Sequence, residues 1–311
     1  MKLRKYIALG LVSIAALTGC GSSSEPQNET STQNSEVEVA KDTEAKVGEE
    51  ALRVVSGTVA ATQVLDYLEA DLVGVPTTSS KLPARYDGVP DVGMAMNPDL
   101  EKVVSLTPDL FVVDKNFKEK IDESASTFGL NMFYFDTTNY KNFITSIEEL
   151  GKAVYKEENA ALLVEELRKV ETEITSKAEG VESPTVAVLF GASENFMLAT
   201  ETSYIGDLVA LVGGENITKH FEEGMSSSYI QFSLEQIVEQ NPDYILRFAH
   251  GNLEETKKSF DAFFEKNPAW STLDAVKEGR VIDLDPSIFN VSANIYVKDA
   301  ISTLGQIFYG E

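Results

Sequence analysis

A fifteen-residue pattern occurs twice in this chain, and it constrains the fold more than any other feature. LEKVVSLTPDLFVVD at 100–114 matches LEQIVEQNPDYILRF at 234–248. Each copy reads Leu-Glu, an apolar pair, Pro-Asp and then an apolar run. Proline lacks an amide hydrogen and disfavours helix in the residue before it, so Pro108 and Pro242 should each end a helix and lead into a strand. Two copies 134 residues apart, at the same stage of two halves, imply two related lobes with a cleft between them.

The surrounding pattern supports this. LRVVSG from Leu52 is a strand run, and Thr58 can cap a helix VAATQVLDYLEA in which Val59, Leu65 and Leu68 share a side. LVGVP and NMFYFD are further strands, with a helix near 117–128 before the second. Strands separated by helices predict a parallel α/β sheet. A long helical region covers about 140–179, with Leu163, Leu167, Val170 and Ile174 on one stripe and Gly180 as its stop. No Gly or Pro interrupts Glu157 to Ala178, so this connector should resist bending and the lobes should move little. After Pro184 the pattern restarts with TVAVLFG. The expected fold is α/β: two lobes, each with a central mostly parallel sheet flanked by helices, joined by one long connector helix, with the ligand cleft between lobes. The expected bounds are 51–153, 154–180 and 181–311.

The amino terminus reads as a targeting segment. Lys2, Arg4 and Lys5 precede an apolar stretch, Ile7 to Ala16, too short to span a bilayer. LTGC at 17–20 resembles a lipobox, so 1–19 is expected to be a signal peptide and Cys20 the new first residue. Cys20 is the only cysteine, which rules out an internal disulfide and makes it the expected lipid (palmitate) attachment point. Residues 21–50 are rich in Ser, Thr, Asn, Gln and Glu without an aromatic residue, so 20–50 reads as a lipidated, disordered acidic tether. The formal net charge of −24 becomes −27 once the three basic residues of the signal peptide are gone. Such a charge argues against nucleic acid and against adhesion to anionic lipid. Membrane contact is expected through the lipid anchor only.

DVGMAMNPDL at 91–100 places Met94 and Met96 in a loop just ahead of a helix. With Asn97 as cap and Pro98 first in the helix, the fourth helical residue is Glu101, which gives Met96 no apolar staple partner. In the second copy Ser233 caps, Gln236 completes a capping box, and Phe232 has Ile237 to pack on. Met96 is thus free to point elsewhere, or fills a gap in its own lobe. His250 ends the strand YILRFAH, at a carboxyl end where ligands of parallel sheets gather; a capped surface histidine is the alternative. His220, the other histidine, is expected in an exposed polar loop, where Met225 lines or gates the cleft. Arg247 makes an interlobe or a ligand contact. Glu101 and Glu235 occupy matching positions, as solvated helix faces or as something more.

Taken together, the lipobox, the tether, the two repeated units, the connector, YIGDLVALVGGENI at 204–217 and WSTLDAVKEGRVIDLD at 270–285 resemble a substrate-binding lipoprotein of an ABC importer. The class is the one with a rigid helical linker, serving iron siderophores, cobalamin and heme. TVAATQVLDYLEADLVGVPTTSSKLPARYDGVPDVGMAMNPDLE at 58–101 and YILRFAHG at 244–251 are similar to the heme-binding lipoproteins of Gram-positive iron-regulated surface systems.

The resemblance implies a monomer on the extracytoplasmic face of the cell membrane. It would carry heme for iron uptake to an ABC permease and its ATPase, with surface heme donor proteins as further partners. It makes Met96 and His250 the axial ligands of the heme iron, a thioether–imidazole pair. The propionates would fall to Thr58, Val59, Ser79, Ser80 and Lys81, where a helix start and loop amides favour carboxylates, with Lys81 or Arg85 adding charge. Glu101 and Glu235 would dock on basic permease residues, one per lobe. A ferric siderophore or cobalamin is the alternative cargo, although siderophore pockets tend to use Arg and Tyr. A chelatase-like enzyme would need a poised acid or base. The sequence shows no Ser-His-Asp signature, phosphate loop or metal-ligand cluster, and two histidines are few for a zinc or manganese carrier.

Overall fold

The first lobe is laid out along β1 (Val54–Ser56), α1 (Val59–Tyr67), β2 (Leu72–Gly74), β3 (Gly93–Met94), β4 (Asn97–Pro98), α2 (Leu100–Ser105), β5 (Leu110–Asp114), α3 (Lys118–Thr127) and β6 (Met132–Phe135). The structure is a computed structural model that describes residues 51–192, 195–221, 227–249 and 253–310. The order in the sheet is β2-β1-β5-β6, all parallel. Val54 and Val112 enter one apolar core, while Val55, Phe111 and Val113 enter another on the opposite face. Burial on both faces explains why these strands read as continuous apolar runs.

Two helices follow, α4 (Tyr140–Ala153) and α5 (Glu157–Ala178). Within the helical region expected over about 140–179 the chain breaks at Tyr155, whose φ is +57°. The Lys156 N–H closes the break by bonding the Gly151 carbonyl at 2.7 Å. Beyond it α5 is continuous. Its Leu163, Leu167 and Ile174 are buried, and Gly180 at φ +77° follows its end.

The second lobe contains β7 (Thr185–Ala192), β8 (Asn195–Ala199), α6 (Tyr204–Leu211), β9 (Glu215–Asn216), β10 (Tyr229–Gln231), α7 (Leu234–Gln240), β11 (Tyr244–Ala249), α8 (Leu253–Glu265), α9 (Asp274–Lys277), β12 (Val281–Asp283) and α10 (Val297–Tyr309). The order is β10-β8-β7-β11-β12, with β9 also paired to β7. β9, β7, β11 and β12 run parallel, and β8 and β10 add an antiparallel edge. The repeated unit folds the same way in both lobes. Val103 and Ile237 are fully buried under α2 and α7, and Thr107 and Asn241, each just before the proline, share a left-handed backbone (φ +45° and +43°).

One apolar core runs through both lobes. It joins Leu65 of α1, Leu163 and Leu167 of α5, Leu304 of α10 and Val188 of β7. Among the described residues, hydrogen bonds also link the lobes, from Tyr140 N–H to Asp207 Oδ2 at 2.8 Å and from Ala293 N–H to the Thr137 carbonyl at 2.9 Å. Among the described residues no helix is long and apolar enough to cross a membrane.

Candidate ligand-binding site

The position of Met96 follows from the pairing around it. Beyond β2 the chain continues as Val75 to Thr77. Against it lies the incoming segment, with Val92 N–H bonding Val75 O at 2.8 Å and Thr77 N–H bonding Gly93 O at 2.8 Å. The Val75–Asp91 bridge is parallel, so this segment travels past the carboxyl end of the first sheet. β3 and β4 then form a tight antiparallel hairpin, Met94 opposite Asn97, with Ala95 and Met96 as its turn. Met96 is 52% exposed at the tip and Met94 56% exposed beside it.

The capping expected at Asn97 and Pro98 is not what forms. Those residues belong to β4, and the cap of α2 is Asp99, which accepts from Lys102 N–H at 3.1 Å. Glu101 is therefore the second helical residue, and the fourth is the buried Val103. Met96 is free of the core because it tops a hairpin, not because a staple partner is missing. In the second copy Ser233 does cap α7, accepting from Gln236 N–H at 3.3 Å.

A cavity of about 410 Å³ opens beside the start of α1. Val59, Ser80 and Lys81 form part of one wall, and the segment 286–296 forms the other. That segment leaves β12 with Leu284 N–H on the Arg247 carbonyl at 2.8 Å and reaches the first lobe at the Ala293–Thr137 bond. It therefore spans the space onto which the carboxyl ends of both sheets open. Among the described residues that line it there is no Asp or Glu.

Of the carboxylate-binding candidates, the structure gathers Val59, Ser80 and Lys81 here and leaves two aside. Thr58 is buried with its Oγ1 accepting from Ala61 N–H at 3.2 Å, and Ser79 is exposed outside the wall. Val59 faces this cavity, in contrast to the fully buried Leu65 and Leu68 with which it was grouped. Arg85 is engaged elsewhere, in an ion pair with Asp71 at 3.1 Å. The residues missed by sequence reasoning are Gln63 on the α1 side and Asn290, Asn294 and Tyr296 on the other. The polar run NVSAN at 290–294 is the one signal for Asn290 and Asn294. A more open groove on α4 and α5 is lined by Glu148, Glu165, Arg168 and Glu173 and touches no strand end.

In the second lobe, β7, β11 and β12 run in one direction, and the last described residue of β11 is Ala249. His250, next in sequence, and Met225 lie outside the described residues, as do Cys20 and the whole leader. His220 ends a short helical turn, half-exposed, with Nε2 2.8 Å from Glu215 Oε1. Lys219 and His220 together hold the Glu215 carboxyl below the usual range. Glu215 pairs with Thr185 at the amino end of β7, the end opposite Ala249.

The role left open for Arg247 is settled by its partners. Its side chain is 8% exposed and forks onto Asp283 (2.7 and 2.9 Å) and Asp261 (2.7 Å), which ties β11 to β12 and α8 inside one lobe. Glu101 and Glu235 are both exposed, each the second residue of its helix.

Two lobes on a shared core, with strand ends opening onto a common cleft, have the architecture of a bilobal substrate-binding protein. Residues 54–288 match the family described as periplasmic binding protein. The high-affinity heme uptake system protein IsdE of Staphylococcus aureus is 33% identical over 310 residues, covering 99% of each chain. An ABC transporter substrate-binding protein from Listeria monocytogenes EGD-e superposes with a TM-score of 0.75 at 34% identity, covering 84% of this chain and 100% of its own. Staphylococcus aureus IsdE complexed with heme superposes at 0.73 and 34% identity, covering 83% and 99%. The chain belongs to the periplasmic binding protein family.

Proposed function

We propose that this protein captures heme between its lobes and delivers it to an ABC permease and its ATPase for iron uptake. The observation that carries the reading is the placement of Met96. It is a half-exposed thioether on a hairpin held beyond the carboxyl ends of the first sheet, in a chain similar over its full length to a heme uptake protein. His250, following the carboxyl end of β11, supplies the second axial ligand. Two axial ligands leave iron no open position, which suits carriage. The propionates fall to Val59, Ser80 and Lys81, with Thr58 and Ser79 at the edges. The occupation of Arg247 by two aspartates favours heme over a ferric siderophore. Lipid on Cys20 and the tether to residue 50 hold the protein on the extracytoplasmic face, as a monomer that receives heme free or from surface donor proteins.

Hemin added to the purified protein should give a saturable, stoichiometric change in its absorption spectrum. His250→Ala should change the ferric spectrum. Met96→Ala should act mainly on the ferrous spectrum, where a thioether is the stronger ligand. If both variants match the parent while Met94→Ala or His220→Ala does not, the ligand assignment fails. Turnover of the porphyrin would identify an enzyme instead.

A further inference from the structure

Among the described residues of the first lobe, Met94 and Met96 are the most exposed large apolar side chains. Leaving such a side chain in water forgoes the gain of burial, and here the fold does so twice within three residues. The hairpin is too small to cover them: β3 and β4 have two residues each, with Ala95 and Met96 as the turn.

The distribution of sulfur in the chain gives this exposure a chemical meaning. The one cysteine is Cys20, so residues 51–311 contain thioether sulfur alone. Beyond the hairpin, Met132 and Met197 are both half-buried. Met132 lies in β6 against the core that holds Phe111 and Val113, and Met197 lies in β8, paired with Phe190 on one side and Gln231 on the other. A thioether has no proton to lose, so access decides how fast it is oxidised.

We infer that Met94 and Met96 form a reversible oxidation site, and that the sulfoxide of Met96 turns ligand capture down. The oxidant is a hydroperoxide. The sulfur attacks the outer oxygen, an S–O bond forms as the O–O bond breaks, sulfur gives up two electrons, and with hydrogen peroxide the remaining oxygen leaves as water. The product carries a polar oxygen where a soft thioether stood, which makes it a poor ligand for ferrous iron. A dithiol reverses the step: its two thiols become a disulfide and the sulfoxide oxygen leaves as water. The switch rests on the heme reading; the oxidation site does not.

The first test treats the apo protein with hydrogen peroxide and maps the products by peptide mass spectrometry. Met94 and Met96 should take up oxygen at least about tenfold faster than Met132 and Met197. Equal rates overturn the site. The second test uses Met94→Leu, which leaves Met96 as the hairpin's one thioether. After peroxide treatment and its removal, the ferrous hemin spectrum should become that of Met96→Ala, and ferrous hemin affinity should fall to the same level. Methionine sulfoxide reductases for both sulfoxide epimers, supplied with dithiothreitol, should restore both. In Met96→Leu the same treatment should change nothing further. Undiminished capture by protein whose Met96 is oxidised overturns the switch. So does a loss that persists after reduction, or one equally large in Met96→Leu, which would place the damage at another residue. If Met96→Ala itself leaves the parent's ferrous spectrum in place, the axial reading fails and the switch with it, while the peptide map still decides the oxidation site.

Discussion

Asp109 and Asp243 hold the entries of corresponding strands in the two lobes. Asp109 Oδ2 accepts from Arg53 N–H at 2.8 Å ahead of β1, and Asp243 Oδ2 accepts from Thr185 N–H at 2.8 Å at the start of β7. Asp243 also accepts from the Thr185 hydroxyl at 2.8 Å, and its own N–H returns a bond to that hydroxyl at 3.0 Å. Asp109→Ala should therefore cost about 1 kcal/mol and Asp243→Ala up to about 2 kcal/mol. Thermal unfolding should register this as a drop of about 2–4 °C per kcal/mol. A larger loss at Asp109 would show that the second lobe does not depend on this exchange.

The hairpin that presents Met96 depends on Gly93. Its φ is +92°, and a Cβ there would stand 2.8 Å from the Asp99 nitrogen. That nitrogen donates to the Val92 carbonyl at 2.7 Å, closing the hairpin onto the cap of α2. Gly93→Ala should distort the turn at a cost of about 1–3 kcal/mol. The ferrous spectrum of the hemin complex should shift as it does for Met96→Ala, while His250-dependent ferric features persist. An unchanged spectrum would mean that the hairpin does not set the thioether's position.

What could be read in advance was local and repetitive. The Pro-Asp units, the alternation of strands and helices and the cap at Ser233 are written within a few residues each, and all form as expected. Where two local solutions compete, a distant contact decides. Asn97 and Asp99 are both good caps, and pairing of Asn97 and Pro98 with β3 hands the role to Asp99. The break at Tyr155 carries no Gly or Pro, because it is imposed by α5 packing back on α4. Beyond its polar run, Asn294 carries no local signal, since its neighbours across the cavity, Val59 and Lys81, lie more than two hundred residues away in sequence.

Arg247 should be the most sensitive charged residue of the second lobe. Burial pushes the Asp283 carboxyl up, but hydrogen bonds from Arg247 and Lys257 outweigh this and leave it below the usual range. A depressed carboxyl adds stability that is present above its unfolded pKa, about 3.9, and is lost as pH falls through the folded value. Arg247→Met leaves half-buried carboxylates without their main partner, at a cost of about 3–5 kcal/mol near neutral pH. Denaturant unfolding should show this gap shrinking as pH is lowered towards 3. A pH-independent gap would assign the loss to packing on Phe260, whose ring centre lies 5.4 Å from the guanidinium.

The lobes should keep their relative orientation when ligand binds. The core runs unbroken from α1 through α5 and α10 to β7, and Tyr67 OH and Lys298 Nζ both reach Glu166 of α5, at 2.7 and 3.5 Å. Closing the cleft by a large rotation would tear this core, at about 25 cal/mol for each Å² exposed. Small-angle scattering of the apo and hemin-loaded protein should superimpose. A clear contraction on loading would contradict a rigid frame.

Glu101 and Glu235 should govern delivery and not capture. With Asp99 as the cap, both are the second residue of their helices, α2 and α7, so the repeat places them at equivalent and exposed points of the two lobes. Neither lines the cavity beside α1. A two-subunit permease with a basic patch on each subunit would meet one carboxylate per lobe, and such rim charges act chiefly on association rate. Glu101→Lys and Glu235→Lys should each slow hemin transfer to the reconstituted permease, and the double variant should slow it by about tenfold or more, with the gap narrowing as salt is raised. Hemin affinity should remain that of the parent. Normal transfer by the double variant would remove these two residues from the docking surface, and weakened hemin binding would mean that their helices shape the ligand site itself.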